Sequence, residues 1–344
     1  MSAPQRNDGG TPSSAESELT RIPNLTAPRS LGPYVVRHAG NPILQGSAFP
    51  ERSGIVRVFN SGIIRFRDRY IMACRAEDRA LRNYIWLADS KDGVHFTPRP
   101  RPVQVPDGDP DFAEYTAGMY YDPRITEIDG QFYLMHAAHS GHGCRLSLLK
   151  TADFEAFEWL GFVSETDNRN GVLFPEKIGG AYARLDRPNT GDSFGDMWVS
   201  YSPDLIHWGR SRCVLRNAQV RWAWSKIGPG AVPIRTPRGW LVIFHGVRTQ
   251  CKAHYVYQLG VCLLDLDDPS KVLALSPEAI LEPEQTYELV GQTPSVVFTC
   301  GAIVEADGSI KLYYGGADTV MCLATTSVSQ LLQACGSGGV EAAE

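Results

Sequence analysis

The chain has 344 residues and a formal net charge of −5 at pH 7, with 43% hydrophobic and 21% charged residues. This balance is typical of a globular protein that buries a core, and it provides no overall basic field for nucleic acid or an anionic membrane surface. No apolar run approaches the roughly 18 residues that a membrane-spanning helix needs.

Both ends of the chain are predicted to lack regular structure. Residues 1–30 are polar and rich in Ser, Pro and Gly, with no apolar core segment, so they predict a disordered lead-in and not a secretory signal. Residues 335–344 are predicted to be a flexible tail. The eight cysteines include no Cys-x-x-Cys pair, and without a signal peptide they indicate reduced thiols in a cytoplasmic protein.

Between the two ends, over residues 31–334, a strand–turn–strand unit recurs five times. Its first strands begin after a turn with Gly or Asp, are rich in aromatic residues and end in polar ones; they lie at 67–78, 129–138, 179–188, 238–247 and 307–319. Its second strands lie at 84–96, 145–157, 197–208, 257–269 and 320–328. Five copies with almost no helical periodicity between them predict a single all-β domain, a five-bladed β-propeller. A pair of β-sandwiches is the alternative.

Propeller geometry predicts where the polar strand ends meet. The first strands of the blades should line the central channel, and the loops at one end should converge on its axis. We therefore expect one funnel, acidic on one side and basic on the other, which contains Arg75, Glu77, Asp122, Arg124, Arg187, His245 and Asp318.

The triplet Asp122-Pro123-Arg124 stands just before a predicted hairpin with its turn at Asp129-Gly130. Two interpretations of the triplet are open. It can form a surface turn with a local ion pair between Asp122 and Arg124, or it can present a catalytic acid on a rigid scaffold.

Several familiar catalytic motifs are absent from the sequence. There is no Gly-x-Ser-x-Gly elbow, no Walker loop and no dinucleotide fingerprint after a strand. The segment HAAHSGHGC (136–144) has spacings compatible with zinc, but it is predicted to be a Gly-rich loop with no distant partner pair. We therefore predict no metal site.

Basic residues elsewhere in the chain form a candidate anion site. Arg169 and Asn170 lie in RNGVLFPEK, Arg187 in LDRPN, Lys226 in WSKIGPG and His245 in FHGV. In one cavity, opposite an acid, these side chains would clamp an oxyanion, and each Arg would supply a fork of donors. Aromatic residues that could stack on a sugar ring, or equally belong to the core, are Tyr120, Tyr121, Trp222, Trp224, Tyr255 and Tyr257.

The chain also resembles the mannoside phosphorylases of glycoside hydrolase family 130. The similar motifs follow one another in the right order from about residue 40 to about residue 330: VFNSG, YDPRIT, RNGVLFPEKI, RPN…FGDMWVSYSPDLIHWG, KIGPGAVPIRTPRGWLVIFHGV, LLDLDDP and YYGGADT. The family's fold is a five-bladed propeller, which agrees with the repeat.

The resemblance implies roles for particular residues. Asp122 would be the sole catalytic carboxylate, a general acid whose proton reaches the glycosidic oxygen through a hydroxyl of the mannose ring. Inorganic phosphate, the co-substrate, would attack the anomeric carbon from the other face, so no cofactor is expected. The implied phosphate ligands are Arg169, Asn170, Arg187, Lys226 and His245. The implied mannoside-binding residues are Asn60, Ser61, Arg75, Glu77, Tyr121, Tyr257 and Asp318.

The sequence departs from the family in two places. Gln292 and Ser295 stand in the segment VGQTPSVVF, where the family often has Asp or Asn. The segment 136–144 has no counterpart in the family, and we expect it to shape the acceptor side.

The predicted function is phosphorolysis of a β-mannoside, with β-1,4-mannooligosaccharides or mannosyl-N-acetylglucosamine as substrate. Alternatives are a mannosylglucose phosphorylase, a β-mannosidase that uses water, or a non-catalytic carbohydrate-binding propeller. A homo-oligomer is compatible with the sequence.

Overall fold

The computed structural model describes residues 34–105, 110–116, 119–189, 195–251 and 254–336. The predicted disordered lead-in and residues 337–344 of the predicted tail lie outside these residues. The domain limits at 31 and 334 stay predictions. Within the described ranges, no helix is long and apolar enough to cross a membrane.

The described residues form five antiparallel β-sheets arranged as the blades of a propeller, as the repeat predicts. The first strand of the chain is β1 (Val36–Arg37). Blade one contains β2 (Ile55–Phe66), β3 (Arg69–Asp78), β4 (Asn83–Ser90) and β5 (Thr97–Pro98). A short helix, α1 (Pro110–Thr116), leads to blade two. Blade two contains β6 (Met119–Ile128), β7 (Gln131–Ser140), β8 (Gly143–Thr151) and β9 (Glu158–Phe162).

The remaining three blades follow the same order. Blade three contains β10 (Asn168–Leu173), β11 (Tyr182–Pro188), β12 (Met197–Ser202) and β13 (Gly209–Leu215). Blade four contains β14 (Lys226–Pro229), β15 (Ile234–Thr236), β16 (Gly239–Cys251), β17 (His254–Leu264) and β18 (Val272–Leu275). A short helix, α2 (Thr286–Leu289), precedes blade five. Blade five contains β19 (Val297–Val304), β20 (Ser309–Gly316) and β21 (Val320–Ser327), followed by α3 (Val328–Ala334).

The ring is closed by the two ends of the folded chain. Strand β1 pairs with β21, so the N-terminal strand is the outermost strand of blade five. The innermost strands contact one another around the axis, β2 with β6 and β19, and β10 with β6 and β14.

The recurring sequence unit was assigned to the wrong strands of the blade. Its five aromatic-rich first strands are β3, β7, β11, β16 and β20, which are the second strands of the sheets, and its second strands are the third. The innermost strands precede the repeat. The sequence pattern does not predict the innermost strands because they are short or interrupted by bulges. The second strands, in contrast, are buried on both faces and carry long apolar runs.

The segment 136–144 is a hairpin and not a Gly-rich loop. Its residues end β7 and begin β8, and Ser140 pairs with Gly143 across a two-residue turn. The predicted turn at Asp129-Gly130 is confirmed, since both residues have positive φ, 52° and 75°, and Ile128 pairs with Gln131.

Apolar side chains fill the seams between adjacent blades. The five seam clusters contain 19, 18, 15, 11 and 8 buried residues, and the smallest lies between blades two and three. The rigidity of these seams fixes where the inner strands present their polar residues.

Candidate active site

Three inner strands share an irregularity at the same level of the channel. The pairing register of β2, β6 and β10 shifts at residues 59–62, 121–124 and 169–172. Within each bulge one residue is left-handed: Asn60 has φ 47°, Asp122 has φ 54° and Asn170 has φ 60°. Asn and Asp tolerate this conformation better than other non-glycine residues. The bulges turn these three polar side chains out of the sheet pattern.

A close approach of two strands accompanies the bulges. A β-carbon at Gly62 would lie 2.6 Å from the carbonyl oxygen of Pro123. Only glycine therefore lets β2 and β6 approach this closely, and the approach brings Asn60 to Asp122.

The carboxylate of Asp122 is buried and bound from blade one. Its Oδ1 accepts hydrogen bonds from Nδ2 of Asn60 at 3.1 Å and from a terminal nitrogen of Arg75 at 2.9 Å. Arg75 is held in turn by Oδ1 of Asn83 at 2.7 Å. The acid therefore has a fixed position and a fixed counter-ion.

Aromatic rings enclose the Arg75 guanidinium on two sides. It lies 4.3 Å from the ring centroid of Phe59 and 4.7 Å from that of Tyr121. The hydroxyl of Tyr121 lies 3.4 Å from Sγ of Cys144, and burial raises the pKa of this tyrosine. Cys144, at the end of the segment 136–144, therefore contacts one of the predicted mannoside-binding residues.

The local ion pair within the Asp122-Pro123-Arg124 triplet is not formed. Arg124 is only 1% exposed and donates to the backbone carbonyls of Gly230, Pro229 and Asp122, at 2.7, 3.1 and 3.0 Å. It ties β6 to blade four. Its place in the predicted funnel stays a prediction: its hydrogen bonds go to main-chain oxygens, while its charge contributes to the lowered pKa of His245.

Cations on blades three and four lie together, with few compensating acids. Arg187 is 8% exposed, and its guanidinium contacts Nε2 of His245 at 3.1 Å. Burial, followed by the positive charges of Arg187 and others, lowers the pKa of His245 well below its usual value. The imidazole is therefore neutral and leaves the charge of Arg187 uncompensated. Among the described residues, no carboxylate forms an ion pair with Arg187.

Lys226 and Arg169 add to this positive region. Burial and the charges of Arg187 and Arg169 lower the pKa of Lys226 to about 8. Burial lowers the pKa of Arg187 to about 10, with Arg169 contributing to the shift. Arg169 is the one cation with an acid beside it, since it donates to Asp167 at 2.8 Å. Like charges held together in this way favour an anion between them.

Tyr257 joins the two groups of residues. Burial raises its pKa to about 12, and the charges of Arg187, Asp318 and Asp122 all act on it. Its ring packs 6.3 Å from His245 and 6.3 Å from Phe298. Tyr257 therefore interacts with residues of both the acid group and the cation group.

The other predicted mannoside-binding residues differ in their surroundings. Asp318 interacts with Arg75 and Asn60, and burial raises its pKa. Glu77 is buried, pairs with Arg57 at 2.9 Å and accepts from Gln292 at 3.4 Å. Gln292, where the sequence departs from the family, therefore contacts Glu77, one of the predicted mannoside-binding residues.

Some of the residues predicted to bind substrate lie in the protein core or on its surface. Ser61 is fully buried and donates to the carbonyl of Phe59. Trp222 belongs to the core between blades three and four, and Tyr120 packs on the core between blades one and two. Trp224 is exposed.

Polar atoms without partners cluster where these strands meet. Four of the eight buried atoms that lack a hydrogen bond in the described residues belong to this site: Oδ1 of Asn60, Oδ1 of Asn170, Nε of Arg169 and Nδ1 of His245. Buried polar groups are usually satisfied, so this cluster indicates a place for ligand atoms or water.

Sequence reasoning missed the structural basis of the site. Phe59 and Asn83, which position Arg75, carry no catalytic signature. A signal was present in the aligned segments FNSGI, YDPRI and RNGVL at 59–63, 121–125 and 169–173, where a polar residue interrupts each inner strand at one position.

Comparison with known proteins identifies the family to which the chain belongs. The sequence profile of glycoside hydrolase family 130, described as β-1,4-mannooligosaccharide phosphorylase, matches residues 37–337. A β-1,4-mannooligosaccharide phosphorylase from Ruminococcus albus is 34% identical over 321 residues, which cover 91% of this chain and 94% of the relative. A β-1,2-mannobiose phosphorylase from Listeria innocua is 38% identical over 252 residues, covering 73% of this chain and 68% of the relative.

The structure is also similar to a solved structure of a mannoside phosphorylase. The β-1,2-mannobiose phosphorylase from Listeria innocua, in complex with β-1,2-mannobiose, superposes with a TM-score of 0.79 at 30% identity. The match covers 88% of this chain and 99% of that one. The chain belongs to glycoside hydrolase family 130, a family of mannoside phosphorylases with the five-bladed propeller fold.

Proposed function

We propose that the protein is a glycoside phosphorylase that transfers a mannosyl group from a β-mannoside to inorganic phosphate. The products are α-D-mannose 1-phosphate and a shortened acceptor. The observation that carries this proposal is the uncompensated charge of Arg187, which lies close enough to Lys226 and Arg169 for their charges to act on one another.

The cation cluster supports phosphate as the nucleophile. A buried charge without a partner is costly, so a site that keeps several of them is built for a ligand that brings the opposite charge. Phosphate offers oxygens to the forked donors of Arg187 and to the ammonium of Lys226. An inverting hydrolase needs a second carboxylate to activate water, whereas phosphate is already a nucleophile.

Asp122 is the general acid of the proposed reaction. Its carboxyl group is fixed by Arg75 and Asn60 of blade one, whereas Lys226 belongs to blade four. Following the resemblance, its proton reaches the glycosidic oxygen through a hydroxyl of the mannose ring. Phosphate attacks the opposite face of the anomeric carbon, so the configuration inverts.

The mannose ring is proposed to lie on the Asp122 side. Asn60, Arg75 and Asp318 provide hydrogen-bonding groups there, and Tyr121 and Tyr257 provide ring faces. Charges on this side are paired, which suits a neutral sugar. Asn170 and His245 are assigned to the phosphate side because they lie with Arg169 and Arg187.

The proposed substrates are β-1,4-mannooligosaccharides or mannosyl-N-acetylglucosamine. The relative from Ruminococcus albus matches almost its whole length, which favours the β-1,4 linkage. The β-1,2-specific relative has the higher identity over a shorter match, so the acceptor must be tested directly. The cytoplasmic location and a homo-oligomer stay predictions.

A substrate panel tests the proposal. The protein is incubated with phosphate and, in separate reactions, β-1,4-mannobiose, β-1,2-mannobiose, mannosylglucose and mannosyl-N-acetylglucosamine, and the sugar phosphate is identified by phosphorus NMR. We expect α-mannose 1-phosphate, with the fastest rate on a β-1,4-linked substrate. If no member of the panel yields a sugar phosphate, the proposed function is wrong.

A further inference from the structure

The seam between blades two and three differs from the other four. Its apolar cluster is the smallest of the five, with 8 buried residues. Beside this cluster lies a cavity of about 480 Å³, within the range of small-molecule sites. None of the proposed phosphate or mannoside ligands lines this cavity.

The cavity wall includes a buried ion pair. Arg184 donates to Asp186 at 2.8 Å, and both side chains are at least 97% buried, with exposures of 3% and 2%. Arg184 also donates to the carbonyl of Val163 at 2.6 Å and stacks 4.2 Å from the ring centroid of Trp208. The charges of the pair compensate each other, and the lining also contains one further side chain of each sign, Arg145 and Glu165, so the cavity favours a neutral ligand over an anion.

An amide oxygen that lines the cavity has no partner. Asn168 is 91% buried, since its exposed fraction is 9%, and its Oδ1 accepts no hydrogen bond. A buried acceptor without a donor costs about 1–3 kcal/mol, so a donor from a ligand or water is expected there.

An indole N–H in the cavity wall is also free. All seven tryptophans lie in described residues, and five of them donate to a protein oxygen. The two without an acceptor are Trp224, which is exposed, and Trp198, which is partly buried and lines the cavity. A partly buried indole with a free donor is suited to a ligand with both an apolar face and hydroxyl groups.

We propose that this cavity, which we call the seam cavity and define by Asn168, Arg184, Asp186, Trp198, Trp208 and Ser211, is a second carbohydrate-binding site. Its ligand is a neutral hexopyranose unit of an oligosaccharide. Sugar C–H faces pack on the tryptophan rings, and sugar hydroxyls donate to Oδ1 of Asn168 and accept from the indole N–H of Trp198. That the oligosaccharide is a mannoside rests on the proposed function.

The position of the seam cavity separates it from the anion site. Successive residues of a strand point to opposite faces of the sheet. On β11, Asp186 faces the cavity, whereas Arg187 contacts His245 of blade four. A sugar bound at the seam would therefore leave the anion site open and could hold an oligosaccharide near the enzyme between turnovers.

Indole NMR tests the second site. The titration of the intact protein with β-1,4-mannotriose is run without phosphate, so that phosphorolysis does not consume the ligand. The Trp198 signal is identified as the one that is missing in Trp198→Phe. We expect a saturable shift of this signal, and glycerol at a matched hydroxyl concentration should not reproduce it.

A cavity-filling variant provides the decisive comparison. Ser211 is exposed, and its hydroxyl contacts that of Ser200 at 2.9 Å, so Ser211→Phe fills the cavity and gives up only this one contact. It should raise the ligand concentration that half-saturates the Trp198 shift by about ten-fold or more. Tyr201→Phe is the matched control, because Tyr201 packs on the core between blades three and four. It should leave the titration unchanged.

The outcomes separate this proposal from the proposed function. An unmoved Trp198 signal, an equal shift with glycerol, or an unchanged titration in Ser211→Phe would reject the second site. Phosphorolysis of the trisaccharide is measured separately with phosphate added. Turnover with an unmoved signal rejects only the second site, and a shifted signal with no turnover of the trisaccharide or of any member of the substrate panel rejects only the proposed function.

Discussion

Two arginines in the candidate active site, one partly buried and one buried, have opposite surroundings. Arg75 donates to the Asp122 carboxylate at 2.9 Å and to Asn83, while Arg187 contacts the neutral imidazole of His245. Burial alone lowers the pKa of both guanidinium groups. For Arg75 the charges of Asp122 and Asp318 outweigh burial and raise its pKa, whereas the pKa of Arg187 falls to about 10.

This difference indicates what each side of the cavity binds. A compensated charge can orient a neutral sugar without a further counter-ion. An uncompensated charge destabilises the empty protein and is neutralised when an anion binds. The comparison therefore divides one cavity into a mannoside side and a phosphate side, and each of the following experiments tests that division.

The largest effect is expected for Asp122→Asn. The substitution keeps size and shape but removes the proton donor, and general acid catalysis contributes about 10²–10⁴-fold. The measurement is kcat with saturating mannoside and phosphate. Asp307→Asn, which makes the same exchange in an exposed turn of blade five, serves as the matched control. Near-normal turnover by Asp122→Asn would show that the carboxylate is only a structural partner of Arg75.

The second test compares the stability of Arg75→Met with that of Arg187→Met. Removing Arg75 leaves the Asp122 carboxylate buried without its counter-ion, which costs about 3–5 kcal/mol in the free energy of unfolding. Removing Arg187 takes away an uncompensated charge, so Arg187→Met should be unchanged or more stable in the absence of phosphate. Denaturant unfolding measures both. Equal destabilisation of the two variants would contradict the division.

The third test concerns phosphate affinity. A charge-assisted hydrogen bond contributes about 1.5–3 kcal/mol, so Arg187→Ala should raise the KM for phosphate by roughly ten-fold or more. The KM for the mannoside should change less. Arg187→Lys keeps the charge but loses the planar fork, so it should recover affinity only in part. Equal weakening of both substrates in Arg187→Ala would mean that this residue does not belong to the phosphate side.

The smallest effect is a pH dependence that arises from Lys226. Its pKa of about 8 means that the ammonium is protonated below that pH and neutral above it. Phosphate favours the protonated form, so binding should weaken as the pH rises. Between pH 8 and 9.5, where phosphate stays a dianion, we expect the KM for phosphate to rise by roughly three- to ten-fold.

Lys226→Arg is the control for this dependence. A guanidinium group has an ordinary pKa about two units above that of an ammonium group, so the variant should stay largely protonated over this range and show a much smaller pH effect. An identical rise of the KM in the variant would assign the titration to another group.

The sequence predicted the fold well and the site in part, for physical reasons. Long second strands with aromatic runs carry a clear period, so the five-fold repeat was detected, although as first strands. The inner strands are broken by bulges at Asn60, Asp122 and Asn170, which weaken the alternation on which strand prediction depends.

The roles of Arg124 and Ser61 could not be predicted, because their partners are backbone carbonyls. Arg124 binds carbonyls that lie more than 100 positions away in the sequence, and Ser61 binds that of Phe59. No residue pattern encodes such contacts. The seam cavity was also missed, since Asn168, Arg184 and Trp198 come together only when blades two and three pack.

The central claim is that phosphate, and not water, attacks the mannoside. The most direct measurement counts the phosphate consumed for each glycosidic bond cleaved in β-1,4-mannobiose, with a parallel reaction from which phosphate is omitted. Our account predicts one phosphate consumed per bond and no cleavage without phosphate. Free mannose released at the same rate in both reactions would contradict it.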